Sequence, residues 1–273
     1  VAVSFTKYSI NYLKDMKQFS LPILQNIPLC QGFYQLSFAW DESAGTVMPG
    51  QFLTVRVSGS SVPLLRRPFA FSAFDPLRKQ ASFIYQKRGG ATEILAGKAV
   101  GELVDVIAPL GTAFSLPPST TRAIVVAGGV GLGPILFLST FLRQQGIDTT
   151  FVFGCRSSAF VPRLDSFEAQ EPVICTDDGS GGFKGTVVEY LRTLPAQRFD
   201  NARLYCCGPE PMLRACHEFA GERAMGCEVS VEQVMACGVG ACMGCVVKVN
   251  YGNGYARACK EGPVFSSEVI RWS

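Results

Sequence analysis

The sequence predicts an α+β, multidomain chain: an antiparallel β-barrel, then a parallel α/β domain, then a small cysteine-rich C-terminal domain. Three observations carry that expectation. Residues 21–116 read as short β-rich runs broken by Pro-Gly and Gly turns, with no long helical pattern. Residues 123–227 alternate short buried strands with helical stretches, the pattern of a parallel sheet. Beyond Glu228, three cysteines crowd into "CGVGACMGC", and a fourth, Cys259, follows a β-rich run.

In the first region, "GFYQLSFAW", "GQFLTVRVSG" and "ASFIYQKR" are the strand candidates, and "VMPGQF" and "APLGTAF" the turns. "LPPSTTR" reads as a linker. Then "AIVVAG", "TTFVFGCR", "EPVICTDDGS" and "ARLYCCG" predict strands. "PILFLSTFLRQQG", "GTVVEYLRTL" and "EPMLRACHEFAGERA" predict helices, the last with Met212, Cys216 and Phe219 on one face. "CVVKVNYGNGYARAC" predicts a hairpin turning at "NYGNGY". The expected divisions are an N-terminal extension over 1–18, a barrel over 19–118, an α/β domain over 119–227 and a cysteine domain over 228–273.

Composition narrows the function classes. With 273 residues, 48% of them hydrophobic, the chain can bury the cores of more than one domain. The net charge of +3, from 25 basic and 22 acidic residues without a basic run, argues against nucleic acid and anionic membranes as partners. Eleven cysteines in so long a chain, with no apolar leader over residues 1–20, point to a reducing cytoplasm rather than a disulfide scaffold. Ala123–Leu142 carries no charge and is long enough to span a bilayer. Gly128, Gly129, Gly131, Gly133 and Pro134 interrupt it, so a strand, a glycine turn and a buried helix account for it better.

The cysteine loop has the spacing Cys237-x4-Cys242-x2-Cys245, with Cys259 further on. That is the plant-type [2Fe–2S] pattern. The wide first gap must curl around inorganic sulfide, and Gly238 and Gly240 permit close approach of backbone N–H groups. Zinc is the competing reading, since thiolates bind it too. Its usual ribbon repeats a C-x2-C pair, whereas this loop has one. The only histidine, His217, lies far away in sequence.

Two turns suggest a nucleotide. "AGGVGLGP", from Ala127 to Pro134, follows a strand and opens a helix, where N–H groups can meet a pyrophosphate. "CCGPEPML" is a second glycine turn at the same kind of strand end. "RRPFAFSAF" can pair an arginine with a phosphate while its aromatics lie on a flat heterocycle; the alternative is a core strand with a solvated arginine pair.

Together these motifs resemble the ferredoxin–NADP reductase-like flavoproteins, in which a barrel binds flavin and a glycine-rich domain binds a nicotinamide nucleotide. The order barrel, nucleotide domain and "MACGVGACMGC" is similar to the electron-transfer subunits of NAD-dependent (class 1B) dihydroorotate dehydrogenases. The likeness covers about residues 20–273. It implies FAD lined by Arg67, Pro68, Phe69 and Ala70, with Arg67 on the pyrophosphate. It implies a second flavin strand at Ile84, Tyr85 and Gln86, and a turn at Ala91 and Thr92 meeting the FAD phosphate. Two positions depart from the family pattern: Ala70 stands where Ser is frequent, and Ala91 where Gly is usual. NAD is implied between Gly129, Gly131, Gly133 and Pro134 on one side and Cys207, Gly208 and Pro209 on the other, with Arg156 a candidate at the adenosine ribose.

The resemblance places no catalytic acid or base for dihydroorotate in this chain. It implies an FMN-containing catalytic partner and a heterotetramer. Electrons would pass from the partner's flavin through [2Fe–2S] and FAD to NAD+. Rival readings are a reductase or diaphorase subunit of a sulfur reductase, hydrogenase or oxygenase, and a zinc-binding regulatory protein with a degenerate flavin fold.

Overall fold

The computed structural model describes residues 16–164 and 170–272. Its first unit is a closed antiparallel barrel of β1 (Lys17–Cys30), β2 (Phe33–Ala39), β3 (Phe52–Arg56), β4 (Arg67–Asp75), β5 (Gln80–Gln86) and β6 (Leu103–Leu110), in the order β1-β2-β5-β4-β3-β6. Closure leaves no unpaired edge. Strand β6 shows why the sequence closes this way. Val104, Val106, Ala108 and Leu110 alternate into the core while Leu103 and Asp105 turn outward. Leu36, Phe38, Leu53, Phe71, Phe83 and Tyr85 fill the interior. A short helix, α1 (Gly90–Ala96), plugs one opening with Leu95.

Of the expected extension over 1–18, residues 1–15 lie outside the described residues. Lys17 and Gln18 already belong to β1, paired with Ala108 and Ile107 of β6. The ladder from β1 to β2 slips beside Pro28, which is how a proline is tolerated in so long a strand.

The second unit is a seven-stranded sheet with the order β10-β9-β8-β7-β11-β12, edged by the late strand β15 (Val264–Ser266). Its parallel strands are β7 (Arg122–Gly128), β8 (Asp148–Cys155), β9 (Val173–Thr176), β10 (Phe183–Lys184), β11 (Ala202–Cys207) and β12 (Cys227–Ser230). Helices α2 (Leu132–Gln144), α3 (Val187–Thr193) and α4 (Glu210–Glu222) connect them. The apolar stretch from Ala123 is explained here. β7 is central, and α2 is wedged between the sheet and β4 and β5 of the barrel, so both are buried. Among the described residues no helix is long and apolar enough to cross a membrane.

On α4 the buried face is Leu213, Cys216, Phe219 and Ala220. Met212 is only half-buried and turns instead toward the strand end, where a Cβ on Gly128 would lie 2.6 Å from its sulfur.

The sheet continues past residue 227, the boundary expected from sequence. β12 pairs with β11, and the late strand β15 (Val264–Ser266) runs antiparallel to β12 at the edge. Between β12 and β15 the chain makes the cysteine loop and a hairpin of β13 (Val246–Lys248) and β14 (Tyr255–Arg257). Val247, Val249 and Ala256 of this hairpin region join Val229 and Phe265 of the sheet in one core.

Candidate functional site

The chain order places β8 on one side of β7 and β11 on the other, so the carboxyl ends of β7 and β11 form a topological switch point. The turns that leave these two ends interlock through glycine. A Cβ on Gly131 would stand 2.2 Å from Cys207 O, and one on Gly208 would stand 3.0 Å from Gly128 Cα. No side chain fits at either place. Gly129 is different: its φ of +54° favours glycine, and nothing lies within 4 Å of an added Cβ. Its backbone borders open space.

A first cleft of about 250 Å³ opens between barrel and sheet. Pro68, Phe69 and Ala70 of β4 and Ile84, Tyr85 and Gln86 of β5 form the barrel wall. Gly131, Pro134 and Cys207 form the sheet wall. Phe69 lies flat on Phe83, with ring centroids 4.7 Å apart and planes 7° from parallel, so a rigid aromatic stack backs the cleft. Burial pushes the Cys207 thiol up, against a hydrogen bond to Ser230, so it is neutral at this wall. The slot is narrow, largely apolar and flat-walled, which fits an isoalloxazine ring.

A second cleft of about 750 Å³ lies over the Gly128–Gly129 turn. Pro209, Arg156 and Asp177 line it, with Pro211 and Met212 from the first turn of α4 beside them. Backbone N–H groups at such a terminus suit a pyrophosphate.

Several residues named from sequence stand elsewhere. Gly133 is one residue inside α2 and faces the barrel, where a Cβ would meet Ile84 and Ser72 at 3.6 Å. Gly208 serves the glycine contact just described. Arg67, Ala91 and Thr92 are not among the residues lining either cleft. Arg67 donates to Leu65 O at 2.6 Å and Ala91 is buried in the barrel core. The Thr92 hydroxyl accepts from the N–H groups of Arg88 and Gly89 at 2.9 and 3.2 Å. Neighbouring Arg66 is held by Asp105 at 2.9 Å, which leaves Arg67 as the arginine of the pair without a carboxylate among the described residues.

Sequence reasoning passed over Arg88, Glu232 and Met235, which line the first cleft. Glu232 is exposed at the cleft, with protein packed around part of its carboxyl. Burial pushes its carboxyl up, while Arg88 pulls the other way.

The cysteine loop folds as its glycines allow. Gly238 and Gly240 have φ of +70° and +82°. Gly238 lies so close to β3 that a Cβ would be 2.7 Å from Thr54 Cγ2. Backbone N–H groups point at sulfur: Gly240 to Cys259 at 3.1 Å, Cys259 to Cys245 at 3.4 Å, Gly244 to Cys242 at 3.4 Å and Val239 to Cys237 at 3.5 Å. The Arg257 guanidinium, fixed by Glu261, donates to Gly240 O at 2.6 Å and holds the loop from below.

The four thiols stand as two pairs. Cys237 and Cys242 influence one another's thiols, and Cys245 and Cys259 are joined by the Cys259 N–H at 3.4 Å from Cys245 Sγ. Burial raises the Cys237 thiol, but the N–H groups of Val239, Cys242 and Ala241 and the Cys242 side chain outweigh it and bring it down to about 6. Burial, then Cys245, pushes Cys259 up to about 12. Among the described residues no three His, Cys, Asp or Glu side chains converge on one metal-binding point. One zinc ion needs four ligands at a single point, whereas each iron of a [2Fe–2S] cluster takes two thiolates. Two adjacent pairs, with N–H groups directed at the sulfurs, fit the cluster.

Comparison with known proteins agrees with this geometry. Residues 232–271 match the family described as the iron-sulfur cluster binding domain of dihydroorotate dehydrogenase B. Over its length the chain is similar to dihydroorotate dehydrogenase B (NAD(+)) electron transfer subunits. It is 36% identical to that of Geobacillus sp. (strain WCH70), over 93% of this chain and 99% of the relative. It is 40% identical to that of Geobacillus kaustophilus (strain HTA426), over 81% and 86%. It is 35% identical to that of Desulforamulus reducens, over 94% and 99%.

Among solved structures, an NADH-dependent reduced ferredoxin-NADP oxidoreductase shares the fold with a TM-score of 0.77 at 24% identity, covering 92% of this chain and 90% of that one. Phthalate dioxygenase reductase follows at a TM-score of 0.60 and 17% identity, covering 86% and 87%.

Proposed function

This chain belongs to the family of dihydroorotate dehydrogenase B (NAD(+)) electron transfer subunits, and from that premise we propose how its parts divide the work. It carries electrons to NAD+ from a partner catalytic subunit that oxidises dihydroorotate to orotate. In this reading the partner holds FMN, the assembly is a heterotetramer, and the location is cytoplasmic.

The observation that carries the reading is the adjacency of three sites. Met235 lines the first cleft, and Cys237, two residues on, begins the cluster loop. Two extended residues span at most about 7 Å. On the other side, Gln86 and Arg88 belong to the walls of both clefts. Cluster loop, first cleft and second cleft therefore follow one another in space.

FAD, when bound, supplies hydride chemistry as well as one-electron steps, and a [2Fe–2S] cluster supplies one-electron transfer. Cys237, Cys242, Cys245 and Cys259 would hold the cluster. Pro68, Phe69, Ala70, Ile84, Tyr85 and Gln86 would hold and orient the flavin ring, with Arg67, Ala91 and Thr92 toward its phosphates. Pro134 and Cys207 form the far side of that slot. Gly129 and Pro209 border the nicotinamide nucleotide, with Arg156 beside it. Met243 is half-exposed on the loop between two ligands and is our candidate contact with the partner.

The test is to compare dihydroorotate:NAD+ activity for this chain alone, the catalytic subunit alone and the two together. The chain alone is expected to oxidise NADH with artificial acceptors and leave dihydroorotate untouched. Dihydroorotate turnover by the isolated chain, or no gain in NAD+ reduction on mixing, overturns the division of labour.

A further inference from the structure

The connection from β5 to α1 places a guanidinium where the two clefts meet. Arg88 and Gln86 are the residues that both walls share. Arg88 is exposed at the tip, but its position is fixed. Its Nε donates to Gln86 Oε1, and its backbone N–H donates to Thr92 Oγ1 at 2.9 Å. Among the described residues its guanidinium makes no ion pair. Glu232, across the first cleft, is the acidic group that senses it from further away. In the second cleft the charged groups are Arg156, on β8's exit, and Asp177, beyond β9.

A nicotinamide dinucleotide is two flat bases joined through a pyrophosphate. To bring nicotinamide into the first cleft while adenosine lies in the second, its phosphates must cross the seam between them. The sheet offers N–H groups at the seam from the turn at Gly128 and Gly129. The barrel offers Arg88. We propose that Arg88 is the barrel's phosphate-binding side chain for the nicotinamide dinucleotide, gripping its pyrophosphate opposite the glycine turn. A guanidinium suits this task because its planar fork matches two phosphate oxygens and its charge is permanent. The inference rests on reading the second cleft as the nicotinamide nucleotide site.

The test uses the full, FAD-loaded chain and calorimetric titration with NAD+ and with ADP-ribose, which keeps both phosphates and lacks nicotinamide. Arg88→Ala should weaken both ligands about tenfold and equally, the loss typical of one charge-assisted contact. Arg88→Lys should recover part of it. Added salt should shrink the gap between wild type and Arg88→Ala, because it screens an exposed charge pair. FAD should stay bound throughout. Unchanged affinity for both ligands overturns the proposal. So does a loss for NAD+ without one for ADP-ribose, which moves the contact to the nicotinamide end, or release of FAD, which assigns Arg88 to the flavin. If the wild-type chain binds neither ligand, the nucleotide reading of the second cleft falls, and this proposal with it.

Discussion

The cleft against the barrel encloses about 250 Å³, and the one beyond Arg88 about 750 Å³. Regular strands and an aromatic stack form one wall of the smaller, and Gly131, Pro134 and Glu232 complete it. Turns, a helix start and charged side chains wall the larger. The barrel-wall residues are held from behind by ladder hydrogen bonds, β4 to β3 and β5 to β2, so that wall keeps its shape whether or not a ring lies against it. A wide cleft bordered by turns admits a charged guest and lets it leave. The contrast separates a seat for a resident cofactor from a berth for a substrate that exchanges at each turnover. The two are nevertheless hinged on the same glycine contact.

That contact is the place to break the comparison. Gly131→Ala puts a methyl 2.2 Å from Cys207 O, backbone against backbone, so the turns must part. We expect a loss of about 3 kcal/mol or more in urea unfolding and loss of both FAD retention and NAD+ binding. Failure of one cleft with the other intact would show that they are not hinged together.

Cys242→Ser should abolish the cluster's visible absorbance and its iron and sulfide, near two each per chain in the wild type, while FAD remains. Stoichiometric zinc in fully coloured protein would contradict the two-pair geometry. Retained FAD would show that the smaller cleft keeps its shape without a loaded loop beside it.

Arg67→Ala acts on the resident side alone. Loss of a charge-assisted phosphate contact should weaken FAD by about 1.5–3 kcal/mol, roughly tenfold or more, with NAD+ affinity of the FAD-saturated protein unchanged. An unaltered FAD dissociation constant returns Arg67 to a solvated role.

Gly129→Ala has the smallest effect and falls on the other side. The methyl meets nothing, so the cost is the backbone's alone, about 1 kcal/mol. That cost falls on folding stability; NAD+ should bind somewhat more weakly because the methyl stands in the open space of its cleft, and FAD as before, whereas equal losses in both would erase the distinction between the clefts.

How much of this was legible depended on whether the signal was local. The cysteine loop was readable because its ligand spacing and its glycines are one short stretch, and the fold only had to bring Cys259 back. Strands β2 to β5 announced themselves by β-rich runs between turns. β1 did not: Pro22 and Pro28 argue against a strand, and only a barrel ladder with irregularities absorbs them. Met212 has helical spacing with Cys216 and Phe219, yet the glycine turn beneath it claimed its side chain. Gly133 looked like part of the turn because no sequence rule says that α2 starts at Leu132. Glu232 and Arg88 carry no motif at all, and Met235 counted only as the lead-in to the cysteine motif. They reach the first cleft because β12 and β5 end there, which is a fact of topology rather than of composition.

Ser230 and Val264 face each other in the antiparallel register of β12 and β15. The chain therefore leaves the sheet and comes back to the spot it left, with the whole cysteine loop and hairpin in between. Such a detour has both feet planted side by side. Its presence leaves the strand order of the sheet unaltered, while Val247, Val249 and Ala256 anchor it in the same core as Val229 and Phe265. In evolutionary terms, a sheet that handles nucleotides can acquire or shed a wire at one edge as a single cassette.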